Sequence, residues 1–310
     1  MLFYMAYSLD ENDEDQLLFN SSVLNKTGDY CARGIWPKQS KLRYKSWINN
    51  FSQEEKYFAA CILDSLIFRS NEQMVSQLDH MLDVLLPSLL YEFDPEIGLG
   101  FERLDLKTKK KNNKVPLIFH APISGTTDSG HTVLTRLRKQ CHVAENYFVN
   151  QPKIYASQKY DYSILGDSSI LVLLDDFCGT GSQFIKYAKA YNLEEASKTI
   201  KIFFIPLIGH EQGCQEIEKE FPEIKVKPIE TISDQHNFFL KFDEPEKVIE
   251  EYYRKLVSAK TKLRKETAIG EYDLKICLVF EENVPNNTLA IIRYKPDDDQ
   301  WNSLLDINTT

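Results

Sequence analysis

The sequence contains no apolar run of the roughly 18 to 20 residues that a bilayer-spanning helix requires. Its first residues, MLFYMAYSLDENDEDQ, lack the basic flank and apolar core of a signal peptide. The cysteines at 31, 61, 141, 178, 214 and 277 form no CxxC pair and show no Cys/His spacing suited to zinc. These absences argue against secretion, a disulfide scaffold and a zinc module, and favour a reducing, cytoplasmic location. The sequon at Asn286–Thr288 is then a chance match. No internal repeat or low-complexity tract is present, which excludes a solenoid.

A broad basic surface is missing as well. Lysine and arginine number 37 against 46 acidic residues, a net charge of −9, so non-specific adhesion to nucleic acid or anionic membrane is disfavoured. One basic run, KTKKKNNK at Lys107–Lys114, has no interleaved aromatics and reads as a solvated loop before a strand. What remains is an ordinary globular composition, 43% hydrophobic and 27% charged over 310 residues, enough for a well-buried core in one large domain or two modest ones.

Along the chain, residues 1–45 show weak periodicity and an acidic patch, which predicts a partly irregular extension. Residues 46–100 read as a helical layer. In it Phe58, Cys61, Ile62, Ser65, Leu66 and Phe68 recur at helical spacing behind a Ser52/Glu55 capping box. A second helix fits Asn71–Leu90, with Met74, Leu78, Met81, Leu82, Leu85 and Leu86 on one side. From residue 101 to 310 the rhythm is strand, loop, helix. Strands are expected at 115–123, 170–174, 200–208, 224–229 and 274–280, helices at 131–141, 182–191, 211–221 and 244–265, and a turn with an edge strand at 283–292. Apolar runs without alternation imply strands covered on both faces, and intervening helices imply parallel crossovers. The expected fold is a doubly wound, mostly parallel α/β sheet.

The chemistry concentrates in ILVLLDDFCGTGSQ, Ile170–Gln183. In an open parallel sheet, ligands sit beyond the carboxyl ends of the strands, and Asp175 and Asp176 fall at such an end. Cys178, Gly179, Thr180, Gly181 and Ser182 then lead into a helix. Glycine lets backbone approach a ligand closely, while consecutive N–H groups and the helix dipole favour a phosphate dianion. The acids must face something else, such as sugar hydroxyls or a hydrated Mg²⁺, and ribose 5-phosphate supplies both ends. The plainer reading is a buried strand followed by a capped helix with solvent-facing acids. Cys178 has no local histidine partner, which makes it a small loop residue rather than a nucleophile.

A second loop lies upstream in PISGTTDSGHTVLTRLRK, Pro122–Lys139. Its Gly125, Gly130, His131 and Thr132 match P-loop spacing except that His131 stands where the lysine belongs. A degenerate P-loop NTPase, with LVLLDD as its acidic strand, is therefore a rival, weakened because histidine is shorter and mostly neutral at pH 7. A Gly/Ser/Thr connector capped by Asp128 is the plain alternative. Arg136 and Arg138 can reach phosphates from this helix, although they are more often surface residues.

LLDDFCGTGSQ resembles the phosphoribosyl pyrophosphate motif of type I phosphoribosyltransferases: four apolar residues, two acids, then a Thr/Gly phosphate loop. The resemblance implies that Asp175 and Asp176 hold the ribose hydroxyls and are the catalytic pair. It implies that Cys178, Gly179, Thr180, Gly181, Ser182 and Gln183 form the 5-phosphate loop, and that Ser124, Gly125, Thr126 and Thr127 bind pyrophosphate with Mg²⁺ carried by the ligand. Where the superfamily usually ends the loop with Thr, this chain has Gln183, an amide that still donates. The C-terminal LVFEENVPNNTLAIIRY and Trp301 look like the closing segment of a narrower family, PRTase-CE, found in bacterial conflict systems alongside antiphage effectors; Arg293 replaces that segment's Trp. By this resemblance Asn286, Asn287 and Thr288 form a hood or base-side wall; a tight turn is the alternative reading. The implied function is phosphoribosyl transfer to a nitrogen nucleophile, or non-catalytic sensing of a nucleotide or phosphosugar with a protein partner.

Overall fold

The computed structural model describes residues 6–9, 13–38, 42–108, 116–123, 129–149, 169–296 and 301–306. They fall into two compact units, Glu72–Ser233 and the pair of segments Met1–Asn71 with Asp234–Thr310. Seven strands occur among the described residues: β1 (Ile67–Arg69), β2 (Ile118–Pro122), β3 (Ile170–Cys178), β4 (Lys201–His210), β5 (Ile224–Val226), β6 (Glu230–Ile232) and β7 (Leu278–Phe280). No helix among these residues is long and apolar enough to cross a membrane.

The unit Glu72–Ser233 is built on a five-stranded sheet in the order β2-β3-β4-β5, with β6 also pairing β4. All of its pairings are parallel. Helices Ser129–Lys139, Ser182–Ala190 and Glu211–Glu220 provide the crossovers. This is the expected α/β architecture. One core gathers Leu171 and Leu173 of β3 and Ile202 and Phe204 of β4 with Phe184, Ala188, Cys214 and Ile217 of the last two crossover helices. Phe184 stacks on Phe204 at 4.3 Å between ring centroids, a contact that adds to the burial of both rings.

Two strands differ from expectation in ways that matter for the site. β3 runs on to Cys178 rather than stopping at Leu174, and all nine of its residues are buried. Phe177 and Cys178 stay in register with Ile208 and Gly209 of the equally long β4, so the ladder carries the acids with it. The strand expected at 224–229 is instead β5 and β6, both on β4. Pro228 has no N–H to give the ladder, while Lys227 N–H and Ile229 N–H donate to Phe204 and Pro206 carbonyls on either side.

The helix expected at 71–90 is present as Asn71–His80, a π-helical turn at Met81–Leu85, and Leu86–Phe93. Pro87 cannot donate to the carbonyl one α-turn back, which accounts for the widened turn. The wider turn leaves Leu85 half-buried and brings Leu89 and Leu90 into the buried stripe.

In the other unit, the segment expected to be irregular contains a 20-residue helix, Asp13–Ala32. The first expected helix is Lys56–Asp64, preceded by the predicted Ser52/Glu55 capping box, and Phe68 lies beyond it in β1. β7 does not extend the main sheet: it pairs in parallel with β1. Residues expected as an edge strand at 283–292 form a turn and the short helix Ala290–Arg293. Helix Glu246–Lys260 buries Ile249, Tyr253, Leu256 and Val257 along one stripe, and Tyr253 donates to the Ala268 carbonyl at 2.8 Å.

Candidate functional site

The two acids lie at the C-terminal end of β3, but inside packed protein: Asp175 is 1% exposed and Asp176 5%. The expectation that they stand outside the core is corrected here. Asp175 Oδ1 accepts the Ser129 hydroxyl at 2.9 Å and the Asp176 backbone N–H at 2.9 Å. Burial, followed by the neighbouring Asp176 charge, pushes the Asp175 carboxyl well above the usual aspartate range, while the bonds from Ser129 and the Asp176 amide pull the other way. Burial of this kind biases the carboxyl toward its neutral form, and the two donors at Oδ1 act against that bias.

Beyond the acids, the chain leaves the strand at Cys178 and enters helix Ser182–Ala190 through Gly181, whose φ of 77° lies in the left-handed region. The loop that results presents Gly179, Thr180 and Ser182 half-buried and Gln183 exposed. Thr180 Oγ1 donates to Ser182 Oγ at 3.0 Å, so the two hydroxyls sit side by side at the helix start. Cys178 turns inward. Its thiol is hydrogen-bonded to that of Cys214, which together with burial pushes its pKa well up, and the Gly181 amide faces its sulfur. Cys178 is therefore a protonated core thiol, and only its backbone is open to a phosphate role.

Helix Glu211–Glu220 packs directly on this loop. A β-carbon on Gly213 would overlap the Gly179 carbonyl oxygen and lie 2.9 Å from the Thr180 carbonyl carbon, while one on Gly181 would lie 2.5 Å from the Gly213 oxygen. Sequence reasoning missed Gly213 and Ser129. The signal for Gly213 was a glycine within a helical stretch, which costs roughly 1 kcal/mol against alanine unless packing demands it. For Ser129, nothing local marks which side of the sheet it faces.

Ser124, Gly125, Thr126 and Thr127 lie outside the described residues, as do residues 109–114 of the basic run. His131 is exposed on helix Ser129–Lys139. On the same helix Arg136 is buried, contrary to its reading as a surface residue, whereas Arg138 is exposed and approaches Glu145 at 3.6 Å. The Asn286–Thr288 segment is used within its own unit. Thr288 Oγ1 donates to the Leu278 carbonyl at 2.6 Å, Asn287 Nδ2 to the Glu271 carbonyl at 2.9 Å, and Asn286 Oδ1 accepts Arg293 at 2.9 Å. With the Thr288 N–H on the Pro285 carbonyl at 3.0 Å, these bonds make the segment a turn. Among the described residues no cluster of three or more His, Cys, Asp or Glu side chains is arranged to hold a metal.

The PRTase-CE family model matches residues 44–306, a span that includes the strand-end acid pair, Gly181 and the start of helix Ser182–Ala190. The chain belongs to the PRTase-CE family. No curated protein matches it. Among solved structures, an orotate phosphoribosyltransferase from Aeropyrum pernix is similar at 12% identity, covering 52% of this chain and 76% of that one with a TM-score of 0.26. The AQ2163 protein from Aquifex aeolicus is similar at 14% identity, covering 54% of this chain and 88% of that one with a TM-score of 0.29. Family membership agrees with the type I phosphoribosyltransferase-like fold expected from the sequence.

Proposed function

We propose that this PRTase-CE protein binds phosphoribosyl pyrophosphate or a related ribose 5-phosphate ligand in the unit Glu72–Ser233. The observation that carries the reading is the left-handed Gly181 at the start of helix Ser182–Ala190, directly after two carboxylates at the end of a parallel strand. Backbone N–H groups and the Thr180 and Ser182 hydroxyls then serve the 5-phosphate. Asp175 and Asp176 serve the ribose hydroxyls. The Ser129 hydroxyl on Asp175 is the kind of contact a sugar hydroxyl would make in its place.

Ser124, Gly125, Thr126 and Thr127 are assigned to pyrophosphate, and Mg²⁺ on that group would offset its charge next to the acids. Transfer to a nitrogen nucleophile passes through an oxocarbenium-like transition state, which the acids serve by orienting the ribose and the loop by holding the remote phosphate. Positioning matters more than a strong base in such a reaction. The antiphage role implied by the C-terminal resemblance belongs to this reading, and loss of protection against phage in cells carrying Asp175→Asn with Asp176→Asn would test it.

A second reading, a non-catalytic sensor working with a protein partner, is favoured by Gln183 and by the burial of both acids. Calorimetry with phosphoribosyl pyrophosphate, together with pyrophosphate release across a panel of bases, separates the two. Release marks a transferase, and binding without release a sensor. Absence of binding in the presence of Mg²⁺ refutes the transferase and any sensor of phosphoribosyl pyrophosphate. The P-loop NTPase reading has no lysine at the decisive position, and the family match runs against it.

A further inference from the structure

We infer that the first turn of helix Glu211–Glu220 is the mould that shapes the phosphate loop, and that Gly213 is a positioning residue for phosphate recognition. The inference rests on the ribose 5-phosphate reading above for its ligand, and on packing for its geometry. Glycines from three elements meet at this point. Gly209, the residue before the end of β4, lies opposite Cys178 of β3, and a β-carbon on it would lie 2.7 Å from Cys214 Sγ and 2.7 Å from Pro228 Cβ. Gly213 leaves no room for a β-carbon against Gly179, and Gly181 leaves none against the Gly213 oxygen. Ile217 Cγ1, one turn further along the helix, would stand 2.9 Å from a β-carbon on Gly181.

What distinguishes the Gly213 contacts with Gly179, Thr180 and Gly181 is that the crowding atoms are backbone. A crowded side chain can rotate away, whereas a carbonyl oxygen moves only if its peptide plane turns, and turning the planes at Gly179 and Gly181 re-aims the N–H groups of the loop. Those N–H directions are the phosphate site. The loop therefore inherits its shape from the helix beneath it, and a ligand need not order it on binding, which preserves affinity otherwise lost to ordering. Gly213 touches no ligand in this account. It acts through the loop.

The test compares full-length wild type, Gly213→Ala and Ile217→Ala. Binding of ribose 5-phosphate and of unphosphorylated ribose is measured by calorimetry. Hydrogen exchange at the amides of Gly179–Ser182 is measured against the β3 amides of the same sample. Expected for Gly213→Ala is a loss of roughly tenfold or more in preference for ribose 5-phosphate, comparable to one lost bond to a charged group, with faster exchange confined to the loop. Ile217→Ala, which only withdraws side-chain support, should show the same changes in milder form and covers the case in which Gly213→Ala does not fold. Unchanged phosphate preference together with unchanged loop exchange in a folded variant overturns the inference. If wild type shows no preference for ribose 5-phosphate, the proposed function fails, and the exchange comparison still decides whether the helix shapes the loop.

Discussion

The Ser129 hydroxyl donates to Asp175 Oδ1 across 2.9 Å, tying the first turn of helix Ser129–Lys139 to the acid end of β3. The bond favours the charged carboxylate against burial and against the neighbouring Asp176. Ser129→Ala should therefore destabilise the protein at pH 7 by about 1–3 kcal/mol, the cost of leaving a buried acceptor short of a donor. Ser129→Thr should recover most of it. Urea denaturation midpoints at pH 7 and near pH 4 provide the check: the deficit should narrow at the lower pH, where the carboxyl is protonated, and a deficit independent of pH would assign the loss to packing.

Asp175→Asn should stabilise the fold while removing ligand binding. The amide oxygen can still accept from Ser129 and from the Asp176 N–H, and the repulsion between two buried carboxylates is gone. A carboxyl raised above its ordinary value of 3.8 gives its stability contribution in full below that pH, and loses it as pH rises through the raised folded value. The variant's gain in Tm should thus be present at pH 7 and disappear near pH 4. A lower Tm than wild type at pH 7 would contradict the account.

His120 predicts acid sensitivity of the same unit. It is fully buried in β2, its Nδ1 lies 3.3 Å from the Tyr147 carbonyl, and its Nε2 has no hydrogen-bond partner among the described residues. Burial pulls the imidazole down from 6.5 to about 4. The unfolded chain therefore takes up a proton before the folded one does, and stability present above pH 6.5 should fall as pH drops toward 4, by on the order of 3 kcal/mol. His120→Phe, matched in size and without a titrating group, should flatten that part of the stability–pH curve.

Thr288 gives a test of the C-terminal turn. Its buried hydroxyl holds the Leu278 carbonyl at 2.6 Å, so Thr288→Val, close in shape, should cost about 1–3 kcal/mol by stranding that oxygen. Chemical denaturation followed by a probe in the unit containing β7 would measure it. A neutral effect would contradict the weight given to this bond.

Much of the fold was legible from local pattern. The stripe from Met74 to Leu86 marked its helix, and the apolar run of β4 and the change of rhythm after His210 marked strand and crossover. The turn at Gly181 followed from residue types that lie next to one another. Other elements were not readable in this way. β3 continued past Leu174 because β4 offered partners as far as Gly209, and a carboxylate inside a strand gives no local sign that a ladder will hold it. β7 paired with β1, a segment far away in the chain, so its apolar run matched several possible neighbours equally well.

By itself the sequence determined the alternation of strands and helices from β2 to helix Glu211–Glu220 and the glycine turn into helix Ser182–Ala190. It also determined that an acid pair is followed directly by a glycine loop. Each of these depends on residues within a turn or two of one another. Only the tertiary structure decided that the acids are buried, that Ser129 bonds Asp175, and that Gly213 lies against Gly179. Burial and close approach arise between segments that meet only when the sheet assembles, and they follow from which backbones come together rather than from the residues along either one.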